Sequence, residues 1–269
     1  MKAGMNKILK PDGRALVVAM DHGRDWGPLP GIEKPGETIE KLIDAGIDGV
    51  FTTYGIAKQF GHLMAGRVSL IVRTDGYASA YREKWLEYAS WQRLFSVEDA
   101  LRVGADGILV MYFMGNESES PSLRVLAEYV SEADRLGVPI AVETMPCPSP
   151  NIPDTYDTKV IATAARIAME HGADMVKCYY NGRADFSYVT ETVPVPVLIA
   201  GGPVTETRLD ALRMVSNAVK AGVRGVFFGQ NIWRSPDPVG MARALSAIIH
   251  DDMAPEAAAE QFLAEAAVK

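Results

Sequence analysis

The chain has 269 residues, 48% hydrophobic and 23% charged, a balance that suits one large α/β domain or two smaller ones around an apolar core. Its net charge of -7 excludes a broad attraction to nucleic acid or to an anionic membrane, since both need a basic patch. The opening MKAGMNKILKPDG lacks the apolar core of a signal peptide, no apolar run is long enough to cross a bilayer, and two cysteines, Cys147 and Cys178, are too few for a disulfide framework or a zinc cluster. A cytoplasmic protein is expected.

In chain order, the apolar runs ALVVAMDHG at 15, AGIDGVFTT at 45, VSLIVRTDG at 68, VGADGILVMYF at 103, LGVPIAVET at 136, HGADMVKCYY at 171, VPVLIAGGP at 195 and AGVRGVFFG at 221 read as strands. Five of them open with a glycine where a helix would end, followed by a turn residue. Helical patterns such as GETIEKLIDAG, SPSLRVLAEYVSEADRLG, TKVIATAARIAMEHG and TETRLDALRMVSNAVKAG separate most of the strands. Near-continuous apolar strands alternating with helices predict a parallel sheet buried on both faces, and eight such units predict a single-domain (β/α)₈ TIM barrel over residues 1–269. A doubly wound sheet is the competitor, but the first strand leads into MDHGRDWGP rather than a G-x-G-x-x-G turn. Residues 75–95, rich in Tyr and Trp, form an insertion after the third strand that suits a lid, an oligomer contact or a decorating helix. Residues 254–267 read as a last amphipathic helix.

Active sites of such barrels lie at the C-terminal ends of the strands, so the polar residues that end each run carry the functional reading. These are Asp21 and His22, Thr53 and Tyr54, Arg73 and Asp75, Tyr112, Glu143 and Thr144, then Lys177 and Tyr179. Lys177 stands out because it sits inside an apolar strand, where a charge is costly to desolvate. Alternation places Lys177 with Met175 and Tyr179 inside the barrel and Val176 and Cys178 outside. A lysine there favours its neutral amine, which attacks a carbonyl to form a Schiff base; pairing with Asp21 or Glu143 for structural reasons is the alternative. Gly201 and Gly202 after the seventh strand, with Gly229 and Gln230 after the eighth, occupy loops that cradle phosphate in many barrels, although tight turns alone would also use such glycines. Only four histidines occur, too few at the catalytic end for a zinc-dependent aldolase, so no metal is expected.

Four segments together, AMDHG with GP at 27–28, GADMVKCYY at 172–180, VPVLIAGGP at 195–203 and GQNIWRSPDPVGMARALSAIIH at 229–250, resemble the archaeal-type class I aldolase family of the DeoC and LacD-like barrels. That family includes archaeal fructose-bisphosphate aldolase, an aminodideoxyheptulosonate synthase and a quorum-signal thiolase. The resemblance implies a cofactor-free lyase with Lys177 as Schiff-base lysine, Asp21 as an active-site carboxylate, a phosphate cradle at the loops of Gly201, Gly202, Gly229 and Gln230, and a homo-oligomer of the pentamer-based kind. The strand-end reading adds Glu143 as a catalytic carboxylate and His22, Arg73, Tyr112 and Tyr179 around a keto or sugar-phosphate substrate. Two departures stand out. Met145 occupies the place of the family's acid–base tyrosine, leaving Glu143, Tyr112 or Tyr179 for that task. Cys147 and Gln230 stand where the family carries arginines, so the substrate is expected to carry one phosphate rather than two, another anion, or none. The missing tyrosine also admits a thiolase-like acyl transferase using coenzyme A, or a noncatalytic sugar-phosphate binder.

Overall fold

The computed structural model describes residues 2, 4–83 and 91–263. Its eight apolar runs form the strands β1 (Ala15–Ala19), β2 (Gly49–Thr53), β3 (Ser69–Arg73), β4 (Gly107–Met114), β5 (Ile140–Pro146), β6 (Met175–Cys178), β7 (Val197–Ala200) and β8 (Gly225–Phe228). All pair in parallel, and β1 closes the ring by pairing with both β2 and β8. The chain is thus a single-domain (β/α)₈ barrel. The glycines that punctuate helix and strand do so through the left-handed backbone that a Cβ disfavours, as at Gly104 (φ 86°) and Gly172 (φ 103°).

Alternation divides the strand residues between two cores. Outward side chains such as Val18, Val50, Val72, Val110, Val142 and Val176 pack against the helices. Each helix turns an apolar stripe to them: helix Pro35–Asp44 buries Ile39, Leu42 and Ile43, a spacing of three and four residues. Capping fixes where helices begin, since Thr207 and Asp210 form a reciprocal box at helix Arg208–Lys220, and Asp157 caps Thr158–Glu170. Inward side chains, among them Val17, Phe51, Ile71, Leu109, Met175, Leu198 and Phe227, fill the barrel. Its N-terminal end is closed by Met5, Ile8 and Leu9 from the short helix Met5–Ile8 and the residue after it. The opening MNKILK gave no sign of this plug, because one turn of helix carries no readable periodicity.

After β3 the chain makes a two-residue antiparallel ribbon, Asp75–Gly76 with Gln92–Arg93. Residues 84–90 of the expected insertion lie outside the described residues, as do 264–267 of the expected last helix, which runs over Pro255–Phe262. No helix among the described residues is long and apolar enough to cross a membrane.

Candidate active site

The floor of the site is aromatic. Phe51 and Phe227, inward residues of β2 and β8, meet edge to face with ring centroids 5.8 Å apart. Lys177 Nζ lies 5.3 Å above the Phe51 ring and 5.8 Å from that of Phe227, and the Arg73 guanidinium also lies 5.3 Å from Phe51. Two buried cations therefore rest on apolar rings, and their charge has to be answered from the other strands.

Register supplies the answer. Glu143 and Lys177 are direct partners across β5 and β6, and their side chains meet with Lys177 Nζ 2.8 Å from Glu143 Oε1. The second carboxylate oxygen, Oε2, accepts a hydrogen bond from Arg73 Nη2 at 2.7 Å. Arg73 Nε lies 3.0 Å from Asp21 Oδ2, an ion pair without hydrogen-bond alignment. Asp75 Oδ1 is 3.8 Å from Arg73 Nη1, while Asp75 Oδ2 accepts from the Met111 amide at 2.6 Å and from Trp91 Nε1 at 2.7 Å. The result is a chain of alternating charge, Asp21–Arg73–Glu143–Lys177, carried by the segment after β1 and by β3, β5 and β6.

Burial sets the acid–base character of each group. Burial works against ionised Asp21, but the positive charges around it, Arg73 foremost and His22 only once it is protonated at low pH, overcome it and hold its carboxyl at about 2. Glu143 follows the same pattern: desolvation opposes ionisation, Lys177 and then Arg73 reverse it, and its carboxyl falls below the usual range. Asp75 is the exception. Fully buried, with Oδ1 lacking a hydrogen-bond partner, its carboxyl is pushed up by desolvation despite Arg73. His22 is pulled down by burial and stays a neutral imidazole near pH 7, 3.5 Å from Asp21 and edge-on to Trp233 at 5.3 Å.

The structure brings together Lys177, Glu143, Asp21, Arg73 and His22. Of the two expectations for the amine, one neutral and one paired with Asp21 or Glu143, the geometry has the pairing with Glu143, because the register sets the two residues side by side on adjacent strands. Tyr179 lies one inward position beyond Lys177, its hydroxyl donating to the Met145 sulfur. Burial raises its phenol, so it serves as a donor and not as a base. Tyr112, by contrast, is turned outward into the helix-facing core, fully buried, with its hydroxyl donating to Glu119 Oε1 at 3.3 Å. It is separated from the charged cluster by the sheet itself.

The two glycine loops are joined by Asn231, whose Nδ2 donates to Gly201 O (2.9 Å) and Pro203 O (3.1 Å) while its Oδ1 accepts from Thr205 N (3.0 Å). Gly229 is needed for contact: a Cβ there would fall 2.7 Å from His22 Cε1 and 2.8 Å from Ala19 O. Gly202 adopts φ 61° at an exposed turn. Gln230 turns away, its side-chain oxygen accepting from Arg234 Nη1 at 2.9 Å. Sequence reasoning missed Asn231, and it missed Trp233, which backs His22 and donates to Ala19 O at 3.0 Å. It also missed Trp91, which anchors Asp75. Indole and amide side chains bonded to distant backbone leave no local pattern.

A charged lysine–carboxylate pair at the C-terminal mouth of a barrel is common ground for several chemistries, and the wider sequence decides among them. A model of the DeoC/LacD family of aldolases matches residues 15–235. The chain belongs to that family. It is 35% identical over 248 residues to an uncharacterised aldolase of Saccharolobus solfataricus, covering 89% of this chain and 91% of the relative. It is 34% identical over 257 residues to the 2-amino-3,7-dideoxy-D-threo-hept-6-ulosonate synthase of Halobacterium salinarum, covering 95% and 94%. An archaeal fructose-1,6-bisphosphate aldolase, whose catalytic lysine was captured covalently bound to the substrate's carbinolamine intermediate, superposes with a TM-score of 0.82 at 30% identity, over 92% of this chain and 98% of that one. The protein is a class I aldolase, a lyase that works through a lysine Schiff base and without a metal.

Proposed function

We propose that Lys177 is the Schiff-base lysine, that Glu143 is its proton partner, and that Asp21 and Arg73 hold the pair in its working charge state. The observation that carries this reading is the 2.8 Å contact between Lys177 Nζ and Glu143 Oε1 above the Phe51–Phe227 floor. In the first step Glu143 takes a proton from the ammonium, and the freed amine attacks the carbonyl carbon of a ketone. Glu143 returns the proton to the departing hydroxyl, so that water leaves and a protonated imine remains. The imine carries its charge where the ammonium carried it. A site arranged around a cation at Nζ is therefore arranged for the intermediate as well, and little reorganisation is needed.

The positive imine acidifies the adjacent carbon. Loss of a proton there, or cleavage of the carbon–carbon bond in the reverse direction, gives an enamine, with Glu143 accepting or returning the proton. This role falls to Glu143 because Met145, at the place of the family tyrosine, cannot exchange a proton and Tyr112 faces away. Asp21 stays ionised throughout, and neutral His22 offers a ring nitrogen to a substrate hydroxyl. The donor is a ketone or keto phosphate, by likeness to relatives named for fructose 1,6-bisphosphate and heptulosonate substrates. Its anionic end would sit between the Gly201–Gly202 and Gly229–Gln230 loops, which Asn231 ties together. A cytoplasmic homo-oligomer belongs to the same reading, supported by exposed Trp26, Tyr81 and Leu94 near the insertion.

The test is exchange of the donor's α-protons with deuterium in D₂O, followed by NMR with dihydroxyacetone and dihydroxyacetone phosphate as probes. The wild type exchanges them, Lys177→Met does not, and Glu143→Gln does so at least about 100-fold more slowly. Exchange that survives in Lys177→Met overturns the assignment.

A further inference from the structure

We infer that the acceptor half of this site takes an uncharged aldehyde with an apolar or aromatic substituent, and not a phosphorylated one. The inference rests on the Lys177 assignment above and adds the identity of the second substrate. On β5 and β6 the next inward positions beyond Glu143 and Lys177 are Met145 and Tyr179. These two side chains line a cavity of about 820 Å³ that extends over the ends of β4, β5 and β6. A carbonyl held against the enamine carbon thus has its substituent directed into this cavity.

The walls of the cavity determine what fits. Phe113, Met145, Cys147 and a run of prolines supply apolar surface. Tyr179 stacks on Tyr156 at a centroid distance of 5.2 Å and an interplanar angle of 17°, making a flat aromatic side. Such a wall suits another ring, and a thioether beside it adapts to shape. No lysine, arginine or histidine occurs among the described residues lining the cavity, and the one ionisable acid there is Glu117. Past Lys177 itself, the next cation along the chain from Tyr179 and Tyr180 is Arg183, which is held by Asp154 at 2.7 Å and by Asp157 at 3.7 Å. A phosphate monoester entering here would give up water without gaining a cation and would meet a carboxylate. The opposite side of the site differs, because its glycine loops offer backbone amides to a donor's anionic end.

The step is redox-neutral. The enamine carbon attacks the aldehyde carbon, a carbon–carbon bond forms, and the carbonyl electron pair moves to oxygen. That oxygen takes the proton held on Glu143, and hydrolysis of the imine releases a β-hydroxyketone and restores Lys177.

The experiment pairs dihydroxyacetone and dihydroxyacetone phosphate as donors with four acceptors: propanal, 3-phenylpropanal, benzaldehyde and glyceraldehyde 3-phosphate. Product formation is followed by mass spectrometry, and donor deuterium exchange is measured without acceptor. The inference expects kcat/KM for 3-phenylpropanal or benzaldehyde to exceed that for glyceraldehyde 3-phosphate by at least about tenfold. It also expects Tyr156→Ala to raise KM for the aromatic acceptor about fivefold, and Cys147→Arg to shift preference toward the phosphorylated one. Intact exchange with glyceraldehyde 3-phosphate preferred, or with no neutral aldehyde accepted, overturns the acceptor assignment while leaving Lys177 in place. Absent exchange removes the Lys177 reading itself, and the acceptor assignment falls with it.

Discussion

Glu143 faces two cations, Lys177 at 2.8 Å and Arg73 at 2.7 Å, and replacing it by glutamine tests whether that arrangement holds the site together. At an effective dielectric of about 20, each contact is worth about 6 kcal/mol of Coulomb attraction, most of which desolvation cancels. Removing one partner of a buried pair has a net cost of about 3–5 kcal/mol, and the glutamine oxygen retains one hydrogen bond, so the lower end applies. For a chain of this size about 3 kcal/mol lowers Tm by roughly 6–12 °C. The assay is thermal and urea denaturation of Glu143→Gln, Lys177→Met and the double variant. Because Lys177→Met removes the cation that Glu143→Gln strands, the double variant should be more stable than the sum of the single losses by about 1–3 kcal/mol. Activity of Glu143→Gln should fall by about 10²–10⁴ through loss of the proton carrier. Additive losses, or a Glu143→Gln variant within about 0.5 kcal/mol of the wild type, would refute the buried-pair argument.

Acid stability should follow the carboxylates. Asp21 and Glu143 are both held below their usual values, so their contribution is complete above the ordinary carboxylate range and disappears as pH falls through the folded values, down to about 2 for Asp21. Asp21→Asn should therefore flatten the fall in denaturation midpoint over that window; an unchanged acid limb would contradict it. His250 gives the opposite sign. At the closed end of the barrel it bridges Asp12 at 2.7 Å and Asp48 at 2.8 Å, and the hydrogen bond to Asp48 first, then that to Asp12, outweigh burial and raise its imidazole. Its stabilisation is full below the usual histidine range and is lost as pH rises through the folded value, so the deficit of His250→Ala should be large at pH 5.5 and shrink by pH 9. Gly229→Ala should displace His22 and raise KM for the donor with a stability loss of about 1–3 kcal/mol, read from steady-state kinetics and urea melts.

The barrel was legible because its strands and helices are punctuated the same way throughout: a left-handed glycine, a turn residue, then an apolar run. Lys177 was legible because it is followed as well as preceded by apolar strand residues, and alternation then fixed which neighbours share its face. Asp21, Arg73 and Glu143 followed from closing their apolar runs, although β5 continues past Glu143 to Pro146. Tyr112 did not, since β4 reads GILVMYFM and is buried on both faces, so nothing in its composition marks which side is inward. Which carboxylate the amine meets was also hidden. It depends on Glu143 and Lys177 being register partners across two adjacent strands, a pairing that hydrophobic pattern alone does not set. The lack of a cationic side chain in the lining of the cavity beside Met145 and Tyr179 arises from loops after β4, β5 and β6 that meet only once the ring is closed.

The most direct measurement is borohydride reduction in the presence of a ketone donor, followed by peptide mass spectrometry. The account predicts one new covalent adduct, the mass of the donor less one oxygen, on the peptide that contains Lys177, and none in Lys177→Met. An adduct on a different lysine, or no adduct with any ketone that the enzyme turns over, would contradict it.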